Sequence, residues 1–129
     1  MDHLELKSPH DGALLILEVT DRFPDSVEFT VQIKTRNFSG SAPSSTFMAV
    51  PLETWFQSMA SDWEGWKDEK KWGDLESRVQ FSATADKTGH IKMKVVLAGQ
   101  DYDSELRVNI MFEAGQLDGM AHDVARLFA

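Results

Sequence analysis

The side chains with catalytic potential in this chain are few and scattered. It has four histidines, His3, His10, His90 and His122, and no cysteine. Without cysteine there are no disulfides, no thiolate nucleophile and no cysteine-ligated zinc. No two histidines stand at the i,i+4 spacing that presents both on one helix face to a metal. A histidine metal site would need residues such as His90 and His122 to meet through the fold, so none is assigned. Ser39-Gly40-Ser41 lacks the second glycine of a nucleophile elbow, and no glycine-rich loop is built to cradle phosphate. His90 follows Asp86 across Lys87-Thr88-Gly89. An Asp–His pair can serve a general base, but only in a cleft and beside an oriented partner. The commoner role at this spacing is a hydrogen bond that stabilises a turn, and that reading is adopted. No catalytic residue and no cofactor is assigned. A small enzyme using His90 with Asp86 or another acid is kept as an alternative.

The tryptophans are the other distinctive residues, and all four fall between positions 55 and 72. Such rings can form a sugar-binding platform or an interface hot spot. Trp55, Trp63 and Trp66, however, share a helical stripe with Leu52, Phe56 and Met59. A stripe of that kind is core. Trp72 lies outside it, in a charged loop, and suits exposure and burial equally. It is carried as an interaction candidate and, with Trp66 and His90, as a small-ligand alternative. The acidic clusters Asp21/Asp25/Glu28 and Asp101/Asp103/Glu105 read most simply as solvated turns. If one of them meets a partner, Asp101, Asp103 and Glu105 are favoured, because they lie in the most negative third of the chain.

Positioning these residues requires elements that the apolar pattern supplies. Leu15, Leu17 and Val19 alternate with polar residues, as do Val27, Phe29, Val31 and Ile33 after a Pro/Asp turn, which predicts an antiparallel pair. Leu4 to Leu6 suits a short edge strand. Asn37 to Ser45, rich in Ser, Gly and Pro, reads as a loop, and Thr46 to Val50 as a short strand. Residues 52–66 carry the strongest helix signal, its six apolar residues falling within about 100° of the circumference. Pro51 suits the first helical position. Lys67 to Lys71 reads as a solvated connection, with Trp72-Gly73-Asp74 turning the chain. Leu75 to Ala85, His90 to Leu97 and Leu106 to Phe112 return to a period of two and predict a three-strand meander. The first of its turns, Asp86 to Gly89, places Gly89 where positive φ is required. A final helix presents Leu117, Met120, Ala121, Val124 and Phe128 on one stripe. No internal repeat is visible. The expectation is a single α+β domain over residues 1–129: an antiparallel sheet of about six strands, ending in the meander and covered on one face by two amphipathic helices.

Length and charge narrow the function classes. A chain of 129 residues buries roughly two-thirds of its unfolded surface and needs no metal or disulfide to fold. There are 13 basic and 21 acidic residues, a net charge of −8. Residues 1–36 carry −3 (seven acids, four bases), 37–98 carry −1 (eight and seven) and 99–129 carry −4 (six and two). With no basic stripe to neutralise phosphates, nucleic acid is excluded as a partner, and so is an anionic membrane surface. A basic protein is attracted, although acidity also serves solubility alone. The acidic N-terminal residues and the short apolar run Ala13 to Leu17 match neither a signal peptide nor a membrane span. The expected setting is cytoplasmic, as a monomer or homodimer.

Trp55-Phe56-Gln57-Ser58-Met59-Ala60, Trp63-Glu64-Gly65-Trp66, Trp72-Gly73-Asp74-Leu75-Glu76, and Asp86 with Gly89-His90 together carry a resemblance. Over roughly residues 10–128 the chain resembles an uncharacterised family of small bacterial domains, family 6228 of the domains of unknown function. That resemblance brings no catalytic motif. In size and architecture the layout is also similar to the WapI-like immunity proteins, which are paired with a cell-wall-associated toxin; no residue motif carries this second similarity. Together these features favour a non-catalytic protein-interaction module, with toxin neutralisation as its sharpest form. The alternatives are a small-ligand binder using the tryptophan region and a small enzyme using His90.

Overall fold

The computed structural model describes residues 2–129. Eight strands and two helices follow one another in two runs of the same form. The first run is β1 (His3–Lys7), β2 (Leu14–Phe23), β3 (Ser26–Lys34), β4 (Ser39–Ser45) and α1 (Leu52–Ser61). The second is β5 (Lys70–Gly73), β6 (Val79–Ala85), β7 (His90–Ala98), β8 (Glu105–Glu113) and α2 (Leu117–Phe128), with a short 3-10 turn before α2. Each run is a four-stranded antiparallel meander in sequential order, followed by a helix. The expected single sheet of about six strands is therefore two sheets of four, although the α+β class and the final meander stand.

The difference comes from two short edge strands without strong alternation. β4 reads SGSAPSS, yet it pairs along β3 from Glu28↔Ser45 to Lys34↔Ser39. As an edge strand it tolerates Pro43, whose missing N–H costs no ladder bond on the free side. Residues 46–50 form a turn, not the expected strand. β5, read as a solvated connection, pairs its Trp72 with Phe81. Strand β6 starts at Val79, so Leu75 belongs to the preceding turn, where it is exposed.

Both sheets and both helices share one apolar core. Phe29 of β3 lies 6.3 Å from Trp72 of β5 and 5.0 Å from Phe128 of α2, while Trp55 of α1 stacks at 5.5 Å on Phe81 of β6. The two helices pack on each other and reach β5 and β1 respectively. α1 buries Leu52, Trp55, Phe56 and Met59, as its stripe requires, but it ends at Ser61. Pro51 precedes it as the N-cap. Ser61 and Asp62 are weak helix formers, and the chain then turns through Gly65 at φ 121°. That turn lays the Trp66 indole N–H on the Ala83 carbonyl at 3.1 Å. Trp63 is thereby left outside the helix and 59% exposed, contrary to its expected place in the core.

Candidate functional site

Three turns form one continuous surface: β4–α1 (residues 46–51), β5–β6 (74–78) and β7–β8 (99–104). Asp74 organises the middle one. Its carboxylate accepts the backbone N–H of Arg78 at 2.8 Å, that of Val79 at 3.1 Å, and the hydroxyl of Ser44 on β4 at 2.6 Å. The last of these bonds ties the edge of the first sheet to a turn of the second. Tyr102 of the third turn donates its hydroxyl to the Glu76 carbonyl at 2.8 Å, and the Arg78 guanidinium lies 5.6 Å from its ring centre. Trp72 donates its indole N–H to the Val50 carbonyl at 2.6 Å, fixing the first turn from beneath.

Between the end of β4 and the second turn, with Phe47 of the first turn at its edge, runs a cleft of about 270 Å³, lined by Glu28, Pro43, Ser44, Ser45, Phe47, Asp74, Leu75, Glu76 and Arg78. Phe47, Met48, Val50, Leu75 and Tyr102, all on these turns, are exposed large hydrophobic residues. Glu28, Asp74 and Glu76 rim the cleft, and Asp101 and Asp103 extend the acidic edge on the third turn. The backbone is also unusual here. Among the described residues four non-glycine residues have positive φ, and Met48, Ser77 and Tyr102 are three of them. Such conformations cost free energy and concentrate at binding and catalytic sites.

The residues singled out in the sequence are distributed unequally over this surface. Asp101 and Asp103 are exposed beside Tyr102, with Asp101 accepting the Asp103 N–H at 3.0 Å. Glu105 is exposed and paired with Arg107 at 3.0 Å. Trp72 is 4% exposed, so its ring is not a surface anchor; it holds the site from inside. Trp66, half-buried, has its N–H committed to Ala83 and the Lys70 ammonium 5.4 Å from its ring centre. With Trp72 sealed in the core, Trp66, Trp72 and His90 do not make an open platform. The outer face of the second sheet is opposite in sign, with Lys71, Lys94 and Arg107 lining a shallow cleft beside Glu69.

His90 lies at the other end of the β7–β8 pair, directly opposite Glu113. Its Nδ1 is 3.2 Å from an Asp86 carboxylate oxygen and 2.9 Å from the Thr88 hydroxyl. The other Asp86 oxygen accepts the His90 and Thr88 backbone N–H groups. The His90 N–H, then the Thr88 hydroxyl, hold the Asp86 carboxyl down to about 2. Gly89 has φ 86°, as the tight turn requires. On the far side of His90 the structure brings in His10, from the β1–β2 turn, and not His122. The His10 Nε2 lies 2.7 Å from the Glu113 carboxylate, and the His90 Nε2 3.5 Å from the same oxygen. His10 and Glu113 were not legible as site residues. The strand register links Glu113 to His90, but nothing local to residues 8–13 announces where that turn docks.

Fold and surface thus define a small α+β domain, made of two meander–helix units, with an acid-rimmed cleft of mixed polarity beside its turns. The chain belongs to the family of unknown function DUF6228, whose model matches residues 6–129. No curated protein matches it in sequence. No helix among the described residues is long and apolar enough to cross a membrane.

Proposed function

We propose that this domain is a non-catalytic protein-interaction module that receives a basic protein partner on the cleft between the end of β4 and residues 74–78, with Asp101 and Asp103 steering the approach. The observation that carries this reading is the coincidence, on three interlocked turns, of exposed apolar side chains, acidic rim residues and positive-φ backbone. Apolar anchors such as Phe47, Leu75 and Tyr102 supply short-range affinity when desolvated. Carboxylates around them select a cationic partner and accelerate its capture. Toxin neutralisation is the sharpest form of this function. The acidic balance supports it, in a cytoplasmic setting and as a monomer or homodimer. The alternatives built on His90 have less support, because its side chain is 40% exposed on an open surface and Trp72 is withdrawn into the core.

The test uses proteins retained from the source organism by the immobilised domain, above all any encoded beside it, once each is identified. Phe47→Asp and Leu75→Asp should keep the fold, since both side chains are exposed. They should weaken binding by about tenfold or more, the loss expected for a central interface anchor. Unchanged affinity in both variants rules out the cleft as the docking site.

A further inference from the structure

We infer that His10, His90 and Glu113 form a three-ligand site for a divalent transition-metal ion of the zinc class, at the end of the second sheet opposite the β7–β8 turn and independent of the acid-rimmed cleft.

One ligand atom from each of these residues lies within 4.8 Å of the other two. Two imidazole nitrogens and a carboxylate oxygen are a donor set that suits zinc, nickel and copper rather than calcium or magnesium. Three protein ligands leave a fourth position open to water or to another group, and the 37–40% exposure of these side chains gives an ion direct access.

Each ligand is held by backbone rather than by chance surface proximity. His90 and Glu113 are a cross-strand pair, which fixes their β-carbons about 5 Å apart. The His10 turn is closed by Ser8, itself buried, whose N–H donates to Ala13, whose carbonyl accepts from Gly12, and whose hydroxyl accepts from the His10 N–H. The groups behind the ligands also match what metal sites require. Asp86 and Thr88 occupy the His90 Nδ1, leaving Nε2 free to face Glu113. A carboxylate behind a ligating imidazole fixes ring orientation and tautomer. The Glu113 side chain accepts a backbone N–H from Gln116, and Gln116 reaches back to the Glu113 N–H and across to the Lys7 carbonyl, three residues before His10. An ordinary surface His–Glu contact has no need of this support. Without a metal, the His10–Glu113 contact at 2.7 Å fills the position; an ion would insert between the two side chains.

The experiment is calorimetric titration of untagged, chelator-treated protein with zinc chloride, alongside NMR of the histidine rings. One equivalent should bind saturably. The His10 and His90 ring resonances should shift, while those of His3 and His122 stay in place as internal controls. His10→Ala, on an exposed turn, should abolish the one-equivalent isotherm, and Asp86→Asn should weaken it by about 10–100-fold, as for groups behind metal ligands. His10→Ala is also the check on folding, because its dispersed amide spectrum should match the wild type. Absence of saturable binding at millimolar zinc overturns the inference. So does binding that His10→Ala leaves unchanged, or ring shifts spread over all four histidines. Because these ligands lie outside the cleft, none of these outcomes bears on partner binding there.

Discussion

Among the tryptophans, chemical identity says little and position decides. Trp55 and Trp72 are buried against Phe81, whereas Trp63 stands 59% exposed. Trp55→Ala and Trp72→Ala should each cost about 3–5 kcal/mol in denaturant titration, through lost burial and a residual cavity. Trp63→Ala should stay within about 0.5 kcal/mol of wild type, as surface substitutions do. A large loss at Trp63 would place its ring in the core after all. The periodicity of residues 52–66 made Trp55, Phe56 and Met59 legible as core. It overran at Trp63, because periodicity does not register where Ser61-Asp62 stops the helix. Trp72 was undetermined for a related reason: its neighbours Lys70 and Lys71 are charged, and only pairing with Phe81 across the sheet turns its ring inward. Asp86 offers a second test at this scale. Its carboxyl, held near 2 by the His90 N–H and then the Thr88 hydroxyl, lies below the ordinary value of 3.8. A lowered folded-state value means that its contribution is fully present above the unfolded value and is lost as pH falls through about 2. NMR titration of the Asp86 carboxyl should show a midpoint near 2; a midpoint near 3.8 would contradict the turn geometry.

At the scale of elements, the turns carry the specific chemistry and the strands carry the pattern. The long strands β2, β3, β7 and β8 were legible because their alternation is strong, and so was the Asp86–Gly89 hairpin. The edge strands β4 and β5 were not, because a four- to seven-residue segment of Ser, Gly, Pro or Lys becomes a strand through its neighbour's hydrogen bonds rather than its own composition. The cleft was illegible for the same reason. Its walls are the end of β4 and the β5–β6 turn, which lie far apart in sequence and are tied together by the Ser44–Asp74 bond. Asp74→Ala removes that bond and the acceptor for the Arg78 and Val79 N–H groups. It should destabilise the domain by about 1–3 kcal/mol, the cost of leaving partly buried groups unpaired. Amide exchange should rise at Arg78 and Val79 before it rises in β2 or β7. Uniform exchange across both sheets would show that Asp74 does not act locally.

Over the whole molecule, the repeated order of four strands and a helix is a property of topology rather than of sequence. Each meander has one apolar face too large to leave in water, and each is followed by an amphipathic helix. The two helices pair with each other, and the result is a single core where one sheet with a two-helix cover was expected. Folding also sorts charge that looked diffuse along the chain. Lys71, Lys94 and Arg107 gather on the outer face of the second sheet, while Glu28, Asp74 and Glu76 rim the cleft. A molecule with a net charge of −8 and a locally basic face attracts a cation and also orients it toward the acidic turns. On the proposed function, a basic protein is steered to this cleft. The measurement that reaches it most directly is the association rate of an identified partner with wild type and with the Asp101→Lys/Asp103→Lys variant, at low and at high salt. Wild type should associate fast at low salt and slow steeply as salt rises, with dissociation changing less. The variant should remain folded, associate more slowly at low salt and lose most of the salt dependence. Equal association rates for the two proteins at low salt would show that Asp101 and Asp103 do not steer the partner.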